Sequence, residues 1–132
     1  MSARLGGLAA ALAVLVAAPA VAHHSFSAEF DADEPVEQTG LVTKIEWLNP
    51  HVWFFIDVTE ADGTVTNWGW EMGSPNGLMR RGWTRNSMRI GDIVSVEGSA
   101  ARDGSARANA RTVLLTASGR RLFAGSSQGQ DR

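Results

Sequence analysis

The chain has 132 residues, with 14 Asp and Glu against 12 Lys and Arg, a formal net charge of −2 and no cysteine. Disulfide staples, thiolate metal sites and thiol catalysis are therefore excluded, and the fold must be held by a packed core or a ligand. A protein gripping nucleic acid mainly through phosphate charge would lean basic, whereas this one leans acidic.

The first 22 residues differ in kind from the rest. Arg4 supplies a short positive start, Leu5 to Ala18 is almost wholly small and apolar, and Ala20-Val21-Ala22 satisfies the small-x-small rule for signal peptidase. A membrane-spanning helix needs about 18 to 20 consecutive apolar residues; this run is shorter, rich in Ala and Gly, and meets Pro19 near its end. The pattern predicts a cleaved signal peptide over residues 1–22 and a periplasmic location. Only Arg4 is lost on cleavage, so 14 acidic residues would face 11 basic ones. The remaining length suits one small domain of about 110 residues.

Residues 23–35 read as an extended N-terminal arm, near five closely spaced carboxylates: Glu29, Asp31, Asp33, Glu34 and Glu37. From Val36 the texture becomes short alternating segments. Leu41, Ile45 and Trp47 fall at odd positions, the period-two mark of a strand with one buried face. "LNPH" makes a turn at Pro50, and "VWFFIDV" is a second strand with Val52, Phe54, Ile56 and Val58 on one side. Asp62-Gly63 closes a hairpin onto a third strand, "VTNWGWE".

"GSPNGLMRRGW" breaks the alternation. Ser74 can cap a helix, Pro75 suits its first position, and Gly82 can end it in a left-handed cap. "IGDIVSVEG" and "ANARTVLLTASG" supply strands four and five. The order β-β-β-α-β-β predicts an all-β fold over residues 36–123, a small five-stranded OB-like barrel with a short helix between strands three and four. Residues 124–132, made mostly of Gly, Ser and Gln, read as a disordered tail.

The phrases "HHSF", "EWLNPHVW", "NWGWEMGSPNGLMRRGW", "GDIVSVEG" and "ANARTV" together resemble one exported bacterial family of unknown function. That resemblance implies no activity, and function has to be read from the residues.

The chain's three histidines are His23, His24 and His51. Cleavage after Ala22 would give His23 a free amine, and the amine with ring Nδ1 closes a chelate around a metal. One further imidazole, from His51, completes a T-shaped three-nitrogen site, with His24 as auxiliary ligand. The arrangement is similar to the histidine brace of exported copper proteins, and nitrogen-rich planar sites favour Cu(II). Cleavage after Ala20 would leave Val21-Ala22-His23, a square-planar copper or nickel peptide site. In the plainer alternative the two leading histidines bind copper only weakly and His51 is an ordinary turn residue. Met72, Met79 and Met88 are auxiliary candidates for Cu(I), or packing residues.

Two other groups are candidate ligand-binding surfaces. Trp53 and Phe55 share one face of strand two and Trp68 and Trp70 one face of strand three; tryptophan stacks well on bases and sugars, but a barrel this small also needs large side chains to fill it, so these rings are either a platform or core. Arg80, Arg81, Arg85 and Arg89, interleaved with Trp83, suit an anionic ligand or the acidic arm, or are simply a solvated loop with screened charges. No Ser-His-Asp order, zinc-protease helix or phosphate loop is present, so no catalytic residue is expected. The leading expectation is a periplasmic copper-sequestering or delivery protein, not an enzyme, whose partner is the metal ion or a periplasmic protein, with no nucleic acid and no membrane association after cleavage. The alternative is a metal-free module binding a small ligand, oligosaccharide or protein through the aromatic and arginine surfaces.

Overall fold

The computed structural model describes residues 26–125. A single helical turn, α1 (Phe26–Glu29), leads into β1 (Phe30–Glu46), β2 (Trp53–Thr59) and β3 (Val65–Glu71). The helix α2 (Pro75–Arg80) then precedes β4 (Ile93–Ala101), β5 (Arg107–Leu115) and β6 (Arg120–Phe123). The sheet order is β3-β2-β1-β4-β5-β6, and β3 also pairs with β5, so the first five strands close into a ring. All neighbouring pairs are antiparallel except that closing one, which is parallel.

The all-β architecture and the helix between strands three and four agree with the sequence pattern, but the described residues form six strands rather than five. The sixth forms a hairpin with β5 through the turn at Gly119, whose φ is 70°. Of its four residues only Leu122 is buried, too few for alternation to be visible. Pairing also begins upstream of the visible alternation: Phe30 lies opposite Ala101 and Pro35 opposite Ser99. Residues 26–29, read as part of an extended arm, are helical.

β2 alternates as its sequence requires, with Val52, Phe54, Ile56 and Val58 buried in the interior. In β1 the expectation fails at one residue. Val42 pairs with Ile56 and Lys44 with Phe55, so Thr43 is an extra residue, a β-bulge that exchanges inward and outward positions. Val42 is buried before the bulge and Ile45 and Trp47 pack against the core after it, while Leu41 is 41% exposed.

α2 forms as the capping residues dictate. The Ser74 hydroxyl accepts a hydrogen bond from Gly77 N, Pro75 opens the helix, and Gly82 follows its end at φ 94°. Leu78 and Trp83 then fill the interior, and Trp83 Nε1 donates to Phe123 O at 2.9 Å. Trp83 is thus a core residue and not part of an arginine-rich surface. Ala124 is buried; its N–H donates to Arg111 O at 2.8 Å and its carbonyl accepts from Gly73 N at 2.9 Å.

The strands pass closest at two glycines. A Cβ on Gly98 would stand 1.8 Å from Asn109 O, and one on Gly40 would stand 2.4 Å from Asp57 O. Both obstacles are backbone atoms of a paired strand, so relief requires moving the ladder. Gly98→Ala is expected to destabilise the fold by about 2–3 kcal/mol, in the upper range for a single overpacking change. For a domain of this size that lowers the melting temperature by roughly 10 °C or more in a thermal melt followed by circular dichroism; an unchanged melt would contradict the close approach.

Candidate functional site: a histidine–carboxyl cluster at the ring closure

Three elements converge where β3 meets β5. Glu71 lies opposite Trp53 on β2 and opposite Asn109 on β5. Phe54 and Trp70 point inward at the neighbouring positions, so Trp53, Glu71 and Asn109 lie on the outward side of the ring. His51 comes from the β1–β2 turn, just after the cis Asn49–Pro50 peptide. Its neighbour Val52 is held by its N–H to Gly73 O at 3.0 Å and by Met72 N donating to its carbonyl at 2.8 Å.

His51 Nδ1 lies 3.3 Å from Glu71 Oε1, and Asn109 Nδ2 donates to the same oxygen at 3.3 Å. Glu71 and Asn109 are both buried although they face outward. Burial pushes the Glu71 carboxyl up to about 7, the Glu29 carboxylate adds repulsion, and Arg107 and the Asn109 hydrogen bond act against them. The influence of Glu29 brings α1, the first described segment, into the neighbourhood of this cluster.

Beside it runs a row of rings and cations. The Arg107 guanidinium lies 4.7 Å from the centre of the Trp53 ring, Trp53 stacks on Phe55 at 6.4 Å, and Lys44 Nζ lies 5.2 Å from the Phe55 centre. Gly69 sits beneath this row: a Cβ there would meet Phe55 Cε1 at 3.1 Å and Trp53 Cζ3 at 3.7 Å. The missing side chain lets both rings lie against β3.

The structure separates the other candidates. Trp70 is fully buried and Trp68 partly so, their rings 6.3 Å apart, and both pack with the interior rather than with Trp53 and Phe55. Arg81 stacks on Phe123 and donates to Gly125 O, whereas Arg80 and Arg85 are exposed. The acidic stretch meets Arg102 rather than the run from Arg80 to Arg89: Arg102 Nη1 donates to Asp31 Oδ2 at 2.9 Å and its Nε to Ser27 O at 2.8 Å. Met72 and Met88 are core residues and Met79 is exposed. His23 and His24 lie outside the described residues. Among the described residues no three His, Asp or Glu side chains are grouped to hold a metal ion, and no helix is long and apolar enough to cross a membrane.

Glu71, Asn109 and Arg107 were not singled out from the sequence. The only signal was polar residues set between buried neighbours in "NWGWE" and "ANAR", which becomes meaningful once β3 and β5 are known to pair.

The ring and its seam thus define a small all-β protein in which a half-buried histidine meets a buried carboxyl–amide pair. Residues 11–110 match the profile of the family of unknown function DUF6152, and the chain belongs to that family. No curated protein matches it.

The folded state holds the Glu71 proton more tightly than the unfolded chain, whose carboxyl titrates near 4.3. The resulting stability is fully present below that value and is lost as pH rises through about 7. Glu71→Gln should remove this slope and leave the protein more stable than wild type above neutrality by about 2–3 kcal/mol. Urea unfolding midpoints from pH 5 to 8 measure it, and parallel curves for the two proteins would show that Glu71 does not titrate in this range.

Proposed function

We propose that the protein is exported and binds one copper ion at its mature N-terminus, for sequestration or delivery. The observation that carries this reading is the engagement of His51 Nδ1 with the Glu71 carboxyl. A metal-binding imidazole characteristically has its second ring nitrogen held by a carboxylate or carbonyl, which fixes the ring and raises the basicity of the ligating nitrogen. In this reading His51 Nε2, the opposite ring atom, is the distal ligand, and the His23 amine and Nδ1 form the chelate with His24 as auxiliary. Two residues, His24 and Ser25, lie between His23 and Phe26, so the two Cα atoms are at most about 10 Å apart along an extended chain. The Glu29 carboxylate is near enough to repel charge on Glu71, which supports an N-terminus on the His51 side of the molecule. Bound copper would supply a redox-capable cargo; the chain's part is to chelate it and hold His51 in place.

The order of strand pairings, with α2 between β3 and β4, supports an OB-like barrel as the scaffold. Arg4, the apolar run and Ala20-Val21-Ala22 support export and cleavage before His23.

Chain beginning at His23 should bind one Cu(II) in a calorimetric titration, and one additional alanine before His23 should weaken binding sharply and alter the electron paramagnetic resonance spectrum. Glu71→Gln should weaken binding by about 10- to 100-fold without changing the stoichiometry. Equal affinity of native and extended forms would remove the amine from the ligand set and end the proposal.

The row formed by Lys44, Phe55, Trp53 and Arg107 favours a second reading, a metal-free module that stacks a sugar ring on its outer face. Saturation-transfer NMR with neutral and acidic oligosaccharides should then give signals that Trp53→Ala abolishes while the melt stays nearly unchanged. The absence of signals from wild type would reject this reading.

A further inference from the structure

The stretch from the end of α2 through its connection to β4 is built to present charge. Leu78, Trp83 and Met88 are buried and anchor it at regular intervals, while Met79, Arg80, Thr84, Arg85, Arg89 and Ile90 between them are exposed. The loop is also fastened along its length. Ser87 N donates to Thr84 O at 3.1 Å, Asp92 Oδ2 accepts from Arg89 N at 2.9 Å, and Gly91 N donates to Val42 O at 2.8 Å. Its exposed side chains therefore stand on a fixed backbone.

Residues 79–90 carry Arg80, Arg81, Arg85 and Arg89 and no acidic residue, so the rest of the chain has 8 basic residues against 14 acidic ones. Arg81 is spent internally on Phe123 and Gly125. Among the described residues no carboxylate forms an ion pair with Arg80, Arg85 or Arg89. Arg120 adds another guanidinium nearby, its Nη2 standing 3.8 Å from where a Cβ of Gly82 would be. Asp92, which follows the arginines in the chain, is occupied with the backbone N–H of Arg89.

Apolar side chains accompany these cations. Ile90 is 69% exposed and Met79 49% exposed. Leu41 and Ile93 form a directly opposed and exposed cross-strand pair, and the Gly91–Val42 bond ties the loop to β1 one residue beyond Leu41. A soluble polyanion would need only the arginines, whereas a bilayer interface takes both guanidinium–phosphate pairing and exposed aliphatic groups. The acidic balance of the whole chain points away from membranes; the local segregation of charge points toward them.

The geometry points to residues 79–90, the end of α2 and the loop after it, as a docking surface for an anionic lipid bilayer, with Arg80, Arg85 and Arg89 on lipid phosphates and Ile90 entering the headgroup region. The site is separate from the His51 cluster and does not depend on copper.

The test is co-sedimentation of the chain from His23, which retains every strand and lacks the apolar leader that would enter any bilayer by itself. Vesicles are phosphatidylglycerol mixed equally with phosphatidylcholine, or phosphatidylcholine alone. Binding should occur with the mixed vesicles, fall with added salt, and drop by about fivefold for each arginine replaced by glutamine. The triple variant Arg80→Gln, Arg85→Gln and Arg89→Gln should therefore lose roughly 100-fold. Ile90→Ser should weaken binding, and His51→Ala should leave it unchanged. Wild-type melting behaviour in the exposed-residue variants confirms that they fold. Failure to bind the mixed vesicles, equal binding to phosphatidylcholine alone, or full binding by the triple variant would overturn the proposal. So would arginine-dependent self-association without vesicles, which would assign the loop to the acidic stretch of a second copy.

Discussion

The parallel pairing of β3 with β5 is the constraint on which the rest of the molecule depends. Gly69, Trp70 and Glu71 lie opposite Arg107, Ala108 and Asn109. On the inner side the pairing sets the largest side chain against one of the smallest, so Trp70 fills the interior without forcing the strands apart. On the outer side the same register brings Glu71 to Asn109 and leaves Arg107 beside the Trp53 ring. Core packing and cluster geometry are thus two faces of one ladder, and a slip by one residue would exchange them. The pairing is also long-range in sequence, so the ring can close only after much of the chain has been laid down.

The arginines divide by what they touch. Arg81, Arg102 and Arg107 each rest on a ring, a carbonyl or a carboxylate and belong to the architecture. Arg80, Arg85 and Arg89 stand out from a loop whose buried residues hold it down. Identical chemistry serves two ends, and local packing decides which. The carboxyls divide similarly: Glu71 is withdrawn from water and shifted, while Asp62 and Asp103 sit in turns where hydrogen bonds from Thr64 and Ser105 hold them below the usual carboxylate range.

Much of the fold was legible because local chemistry and tertiary structure agree. The alternation in "VWFFIDV" and the Ser74–Pro75–Gly82 signals each define an element without long-range help. Leu41 was misplaced because a bulge at Thr43 changes the parity of β1, and only the partner strand reveals an extra residue. Trp70 and Trp53 belong to adjacent "W-x-aromatic" patterns, yet one is core and the other surface, since antiparallel register and not composition assigns the faces. His51 could be recognised as the sole histidine within the strand region. Glu71 and Asn109, 38 residues apart, could be joined to it only by knowing which strands close the ring.

The residues just past β6 were read as tail, yet Ala124 bridges Arg111 and Gly73 and Gly125 receives Arg81. Those two residues act as a strap across the exit of β3, between the hairpin and α2. Cutting the chain at Phe123 would thus leave both Gly73 N and the Arg81 guanidinium without their acceptors at once, so the packed body depends on backbone beyond its last strand.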